Sequence, residues 1–258
     1  MSKDNIRALG ELTAADIPKR LKKSSVLCLP LGAIEQHGPH LPLNTDLVIA
    51  ENVARLMAER LGDEFDLWRL PAFPVGLSRE HAWAPGTLSL NVQSFAALLR
   101  DLVSDLARSL PARNLVIVNG HGGNRGILDA LIYEMQAEFA FNVCVIHPLV
   151  LSGMEEGCAF PDIHGGKVET SLMLVFAPDL VRMQNIAALT RRPDKKAIES
   201  LILDRGASWP WSSGEPAIAD QGVTGDASEA SAEFGQRTIE SLLGNVRTVL
   251  ERLRERGS

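Results

Sequence analysis

The chain has 258 residues, 45% of them hydrophobic and 22% charged, with 26 basic and 32 acidic side chains and a formal charge of −6. That length falls within the range in which α/β folds run as one domain around one large core, so residues 1–258 are expected to form a single unit. The acidic balance, with no basic run longer than Lys22-Lys23 or Arg191-Arg192, excludes the electrostatic footprint of a nucleic-acid or anionic-membrane binder and favours a small or neutral substrate.

Cys28, Cys144 and Cys158 make no CxxC and no even framework, as expected in a reducing cytoplasm. The first residues carry no apolar h-region and are expected to lack structure, and no stretch approaches the roughly eighteen apolar residues of a membrane span.

In chain order, strand-like and helix-like segments alternate. Thr13 to Asp16 offers a helix start whose apolar pattern continues to about Lys23. The apolar run from Ser25 to Leu31 reads as a buried strand. After it, Glu35, His37, His40 and Asp46 share one loop; Asp46 stands at or near the cap of a helix that runs from Leu47 until Gly62 closes it. A strand over about Trp68 to Phe73 leads into a Pro/Gly-shaped loop containing His81, and a helix follows from about Val92 to Leu110.

Leu115 to Val118 is a β-branched strand, Asn119 to Asn124 (N-G-H-G-G-N) a tight turn that delivers His121 at the strand's carboxyl end, and Ile127 to Met135 the start of a helix. A strand from Phe141 to His147 precedes an irregular loop. Ile163 to Phe176 is a Gly-Gly approach to an apolar helix with Glu169 in its first turns. Pro178 to Ala227 is weakly patterned, and an amphipathic helix from Ala230 to about Leu253 closes the chain. Such alternation implies a largely parallel sheet with helices on both faces and the loops of one rim carrying the ligands.

On that rim Glu35, His37, Asp46, His121 and Glu169 supply carboxylate and imidazole, the donor types of a hydrolytic Zn, Mn or Fe site. His40, His81 and His147 read as loop or strand-end histidines outside the metal shell, with His81 available to line a substrate pocket. A strand, Gly-rich turn and helix also cradle nucleotide phosphates, so a nucleotide-binding module is the non-enzymatic alternative.

The blocks G-A-I-E-Q-H-G-P-H-L-P-L-N-T-D, H-A-W-A-P-G-T-L, N-G-H-G-G-N, H-G-G-K-V-E-T-S and G-V-T-G-D-A, in this order from about residue 25 to 230, resemble the creatininase (creatinine amidohydrolase) family. The resemblance implies a three-layer α/β/α fold around a mostly parallel sheet, a binuclear metal centre and a homohexamer. It makes Glu35 and His37 ligands to different metals, Asp46 the bridging carboxylate, His121 and Glu169 further ligands, and His164 the catalytic histidine, with Gly122 and Gly123 beside the substrate.

Two departures point away from creatinine as substrate: Gly123 stands where creatinine-hydrolysing members carry a glutamate, and no tryptophan lies between Leu149 and Ile163. The G-H-G-G-N form is similar to that of a deformylase of archaeal flavin biosynthesis, a peptidase trimming the mycofactocin precursor, and hydrolases of oxidised inositols. Lys167, where many relatives have an acid, is a further difference.

The expected chemistry is hydrolysis of an amide, cyclic amide or formamide C–N bond. Two divalent ions can bring a shared water toward neutrality in pKa, and a histidine near its ordinary pKa of about 6.5 can take a proton and return it to the departing nitrogen.

Overall fold

Four parallel strands in the order β2-β1-β3-β4 form the middle layer of this computed structural model, which describes residues 7–158, 160–189 and 193–256. The strands are β1 (Val26–Leu31), β2 (Leu67–Arg69), β3 (Asn114–Asn119) and β4 (Asn142–Ile146). The helices are α1 (Ile17–Arg20), α2 (Thr45–Phe65), α3 (Val92–Ser109), α4 (Arg125–Phe139), α5 (Pro148–Ser152), α6 (Lys167–Phe176), α7 (Lys195–Ile198) and α8 (Ala232–Arg256). The opening residues through Ile6 lie outside the described residues.

The β1 sequence V-L-C-L-P-L is buried throughout, and its alternation divides the core in two. Val26 and Cys28 face a cluster built with α2, α6 and α8, while Leu27, Leu29 and Leu31 face Phe95, Leu99, Leu128 and Met135 from α3 and α4. The result is a three-layer α/β/α arrangement. In the β1–β3 pairing Leu31 lies opposite Asn119, so both central strands end at one level and release their loops on the same rim.

Several boundaries differ from the sequence pattern, each for a local reason. The first helix shrinks to Ile17–Arg20, because the Thr13 amide and hydroxyl both donate to Asp16 and fold that stretch into a turn instead. Gly62 does not close α2; the helix continues to Phe65 and ends at Asp66, whose φ of 49° is left-handed. Gly62 instead lets Arg7 lie close to the helix, where it ion-pairs with Asp63 and Asp66.

β2 ends at Arg69; the Leu70 amide still donates to Cys28 O, Pro71 has no proton to give, and the edge resumes where the Phe73 amide donates to Pro30 O. The cap position of α2 is Asn44, so Asp46 lies inside the first turn and its carboxylate is free for side-chain partners. The irregular loop after β4 contains the one-turn helix α5. Among the described residues no helix is long and apolar enough to cross a membrane.

Candidate metal centre

Three buried carboxylates and three buried imidazoles meet at the rim where β1 and β3 end. Glu35 and His37 come from the loop after β1, Asp46 from the first turn of α2, His121 from the turn after β3, His164 from the segment before α6, and Glu169 from the first turn of α6. All six are buried, Glu35 and His37 completely. The sequence-derived ligand set and His164 are therefore brought together, and His40 and His147 are not part of it. His40 Nε2 pairs with the Thr170 hydroxyl at 2.9 Å, and His147 Nδ1 with the Asn119 amide at 3.1 Å.

The two oxygens of Asp46 face different neighbours. Oδ1 lies 3.1 Å from His37 Nε2, and that same nitrogen is 3.9 Å from Glu169 Oε2. Oδ2 lies 3.2 Å from His121 Nδ1, which is also 3.2 Å from Glu35 Oε1. Two ligand groups thus share one carboxylate: Glu35, Asp46 and His121 on one side, His37, Asp46 and Glu169 on the other. Glu35, His37 and His164 also converge within ligand distance.

The donor set fits divalent cations on physical grounds. Both Glu35 oxygens and Asp46 Oδ2 are buried without a hydrogen-bond partner, a costly arrangement unless positive charge is supplied. Burial opposes charge on His37, yet Asp46, Glu169 and Glu35 outweigh it and lift its pKa to about 10. His121 is raised in the same way, burial being outweighed by Glu35 and Asp46. Burial would raise Asp46, but His37 and His121 hold it well below the ordinary carboxylate range. Burial also pushes Glu169 up to about 8. The cluster is short of positive charge, and hard or borderline cations satisfy oxygen with imidazole nitrogen.

Backbone carbonyls orient three of the histidines. His37 Nδ1 donates to Glu35 O at 3.1 Å, His121 Nε2 to Leu77 O at 2.8 Å, and His164 Nε2 to Gln36 O at 2.7 Å. Each bond leaves the other ring nitrogen directed at the carboxylates, the arrangement that fixes a ligating or proton-accepting imidazole. His164 Nδ1 stands 3.6 Å from Glu35 Oε1. Burial, with His81 and His37 adding to it, holds His164 well below its ordinary pKa, which favours the neutral imidazole.

The remaining motif blocks build the walls. In G-V-T-G-D-A, Thr224 brackets His164: its carbonyl accepts from the His164 amide at 3.0 Å and its amide donates to His164 O at 2.8 Å. Gly222, at φ 87°, has no Cβ because the Gln36 side chain fills that space; an added Cβ would lie 2.0 Å from Gln36 Oε1. In H-A-W-A-P-G-T-L, His81 stacks on His164 and puts Nε2 3.4 Å from Glu35 Oε1, nearer the centre than its reading as a pocket-lining residue implies.

Gly122 and Gly123 behave differently. A side chain at Gly122 would meet nothing within 4 Å, whereas a Cβ at Gly123 would lie 2.2 Å from Leu77 O and 2.6 Å from Glu80 Oε1. The volume a residue-123 side chain would need is filled by the carbonyl of Leu77 and by Glu80, whose carboxylate stands 3.6 Å from His121 Nε2 and is raised in pKa by burial. Glu80, Gln36 and Ser213 escaped the sequence reading; of these only Gln36, set between Glu35 and His37, carried a positional signal.

The creatininase (creatinine amidohydrolase) family model matches residues 10–250. A mycofactocin precursor peptide peptidase of Mycobacterium tuberculosis is 35% identical over 250 residues, 92% of this chain and 89% of that protein. A creatinine amidohydrolase of Pseudomonas putida is 33% identical over 199 residues, 69% of this chain and 75% of the relative. A crystal structure of creatinine amidohydrolase superposes with a TM-score of 0.77 at 27% identity, covering 96% of this chain and 98% of the other, and similar creatininase structures include a Zn–Zn type and a Mn form. The chain belongs to the creatininase family, hydrolases that act on C–N bonds.

Proposed function

We propose that this protein is a binuclear metal-dependent amidohydrolase that cleaves a C–N bond of a small molecule, with Asp46 bridging the two ions and His164 carrying the proton. The observation that supports it most is the division of the Asp46 oxygens between two ligand groups. Glu35 and His121 would hold the first ion, His37 and Glu169 the second. Zn, Mn or Fe, when bound, supplies an activated water and polarises the scissile carbonyl. His164, bare at Nδ1 and anchored at Nε2, accepts a proton on the side facing Glu35 and returns it to the leaving nitrogen, which departs only when protonated.

A second reading narrows the substrate to the amide of a short peptide. It is favoured by the 35% identity to a peptidase over most of both chains, and by the space at Gly123 being closed to the glutamate of creatinine-hydrolysing members. A nucleotide-binding role is disfavoured, because the N-G-H-G-G-N turn opens onto three buried carboxylates that repel phosphate. The same reading makes residues 1–258 one catalytic domain acting in the cytoplasm as a homohexamer, without nucleic-acid or membrane partners. The charge of −6 and the exposed Trp83, Leu88 and Trp209 support it. The test is a screen of amides, cyclic ureides, formamides, short peptides and keto-inositols with metal-loaded protein; turnover of amide bonds fits the proposal, and turnover of keto-inositols alone refutes it.

A further inference from the structure

His81 differs from the other three histidines of the centre in what holds its outer nitrogen. Where His37, His121 and His164 each donate to a backbone carbonyl, His81 Nδ1 meets the Ser213 hydroxyl at 2.7 Å and the Gln36 side-chain nitrogen at 2.9 Å. The Gln36 amide has its orientation fixed at both ends: Oε1 accepts from the Gly38 amide at 2.9 Å, and Nε2 donates to Gly222 O at 3.0 Å. That nitrogen can only donate. Ser213 Oγ accepts from the indole of Trp83 at 2.9 Å, and its one proton faces His81 Nδ1 at 2.7 Å, much nearer than the alternative acceptor Glu80 O at 3.4 Å. A proton on His81 Nδ1 would face the Gln36 donor at 2.9 Å with no carbonyl to take it, whereas His164 Nε2, 3.1 Å from the same nitrogen, gives its proton to Gln36 O at 2.7 Å.

From these contacts we infer that Gln36 and Ser213 hold His81 as its Nε2–H tautomer, making it the hydrogen-bond donor of the centre, positioned to serve the carbonyl oxygen of the substrate as negative charge develops there. The substrate role rests on the amidohydrolase reading; the tautomer does not. His81 and His164 lie with ring centroids 4.0 Å apart and planes at 25°, and direct Nε2 and Nδ1 at the same Glu35 oxygen from 3.4 and 3.6 Å. One edge therefore offers a proton and the neighbouring edge accepts one. Acyl transfer needs these two functions side by side: a base for the nucleophile and a donor for the oxyanion.

The W-P-W-S-S-G segment, residues 209–214, encloses this pair. Ser213 is buried, its amide donates to Glu80 O at 3.0 Å, and the ring of Trp211 meets His81 edge-on at 5.9 Å. The segment thereby walls the donor histidine from water on one side while Ser213 sets its protonation pattern. Ser213 and Gln36 are positioning residues in this account, and His81 is the group that touches substrate.

The direct test is nitrogen NMR of the zinc-loaded, full-length protein labelled at histidine. The inference expects His81 Nε2 protonated and Nδ1 bare; a protonated Nδ1 in the wild type overturns it whether or not a substrate is known. Ser213→Ala is expected to mix the two tautomers and lower kcat several-fold, with metal content and KM unchanged, while Ser213→Thr restores both readouts. His81→Phe is expected to lower kcat by about 100-fold at similar KM, the typical loss for one oxyanion donor. Unchanged kcat in His81→Phe overturns the substrate role. Loss of the amidohydrolase reading would appear differently, as wild-type protein without stoichiometric metal and without turnover.

Discussion

His81 and His164 stack with ring centroids 4.0 Å apart, and both aim a nitrogen at Oε1 of Glu35. Because His164 is anchored through Nε2 to the Gln36 carbonyl at 2.7 Å, its inward Nδ1 is the nitrogen that exchanges the proton in the proposed reaction. His164→Ala should therefore keep its metal and near-normal KM while kcat falls by about 100-fold or more. His121→Ala should instead lose metal. Elemental analysis and steady-state kinetics on the two variants side by side check this; His164→Ala shedding metal while His121→Ala keeps it would exchange the two roles.

The G-H-G-G-N turn should tolerate change at one glycine only. Gly123→Ala drives a Cβ to 2.2 Å from the Leu77 carbonyl, so the backbone must shift, at a cost of roughly 1–3 kcal/mol. Gly122→Ala meets open space and should stay within about 0.5 kcal/mol of the parent. Urea unfolding midpoints of the two variants distinguish these outcomes.

Acid strengthens one part of this fold. Burial raises Asp162, whose Oδ2 accepts from the Val168 amide at the start of α6, to about 6, against backbone bonds and Lys167 that favour its charge. Asp226 adds to the rise, and nearby Glu155 is itself pushed up to about 7 by burial and then by Asp162. An acid with a raised folded pKa keeps its proton in the folded chain after the unfolded chain has lost it. Stability therefore falls as pH rises from about 4 to about 6, by up to about 3 kcal/mol, and stays lower above that window. Asp162→Asn should remove most of this slope when thermal midpoints are compared across the window.

The candidate ligands Glu35, His37 and His121 were legible because they stand in loops at the carboxyl ends of β1 and β3, whose register brings the two loops to one rim; Asp46 and Glu169 come from the first turns of α2 and α6. The supporting contacts were not. Ser213 reaches Gln36 across 177 residues through a segment with no periodic pattern, so only the folded chain brings the two together. Gly62 misled because a helix-terminating residue type is used here for close packing against Arg7, whereas Asp46 falls where the sequence placed it, near the cap of α2. The β2 boundary depended on Pro71, whose missing amide proton interrupts the edge between the Leu70 and Phe73 hydrogen bonds to β1.

The central claim is that Asp46 joins two ions. Metal analysis of the purified, metal-loaded protein and of Asp46→Ala, Glu35→Ala and His37→Ala tests it most directly. Two divalent ions per chain in the wild type, with Asp46→Ala losing more metal than either single-group variant, is the predicted result. Equal metal content in the wild type and Asp46→Ala would contradict the account.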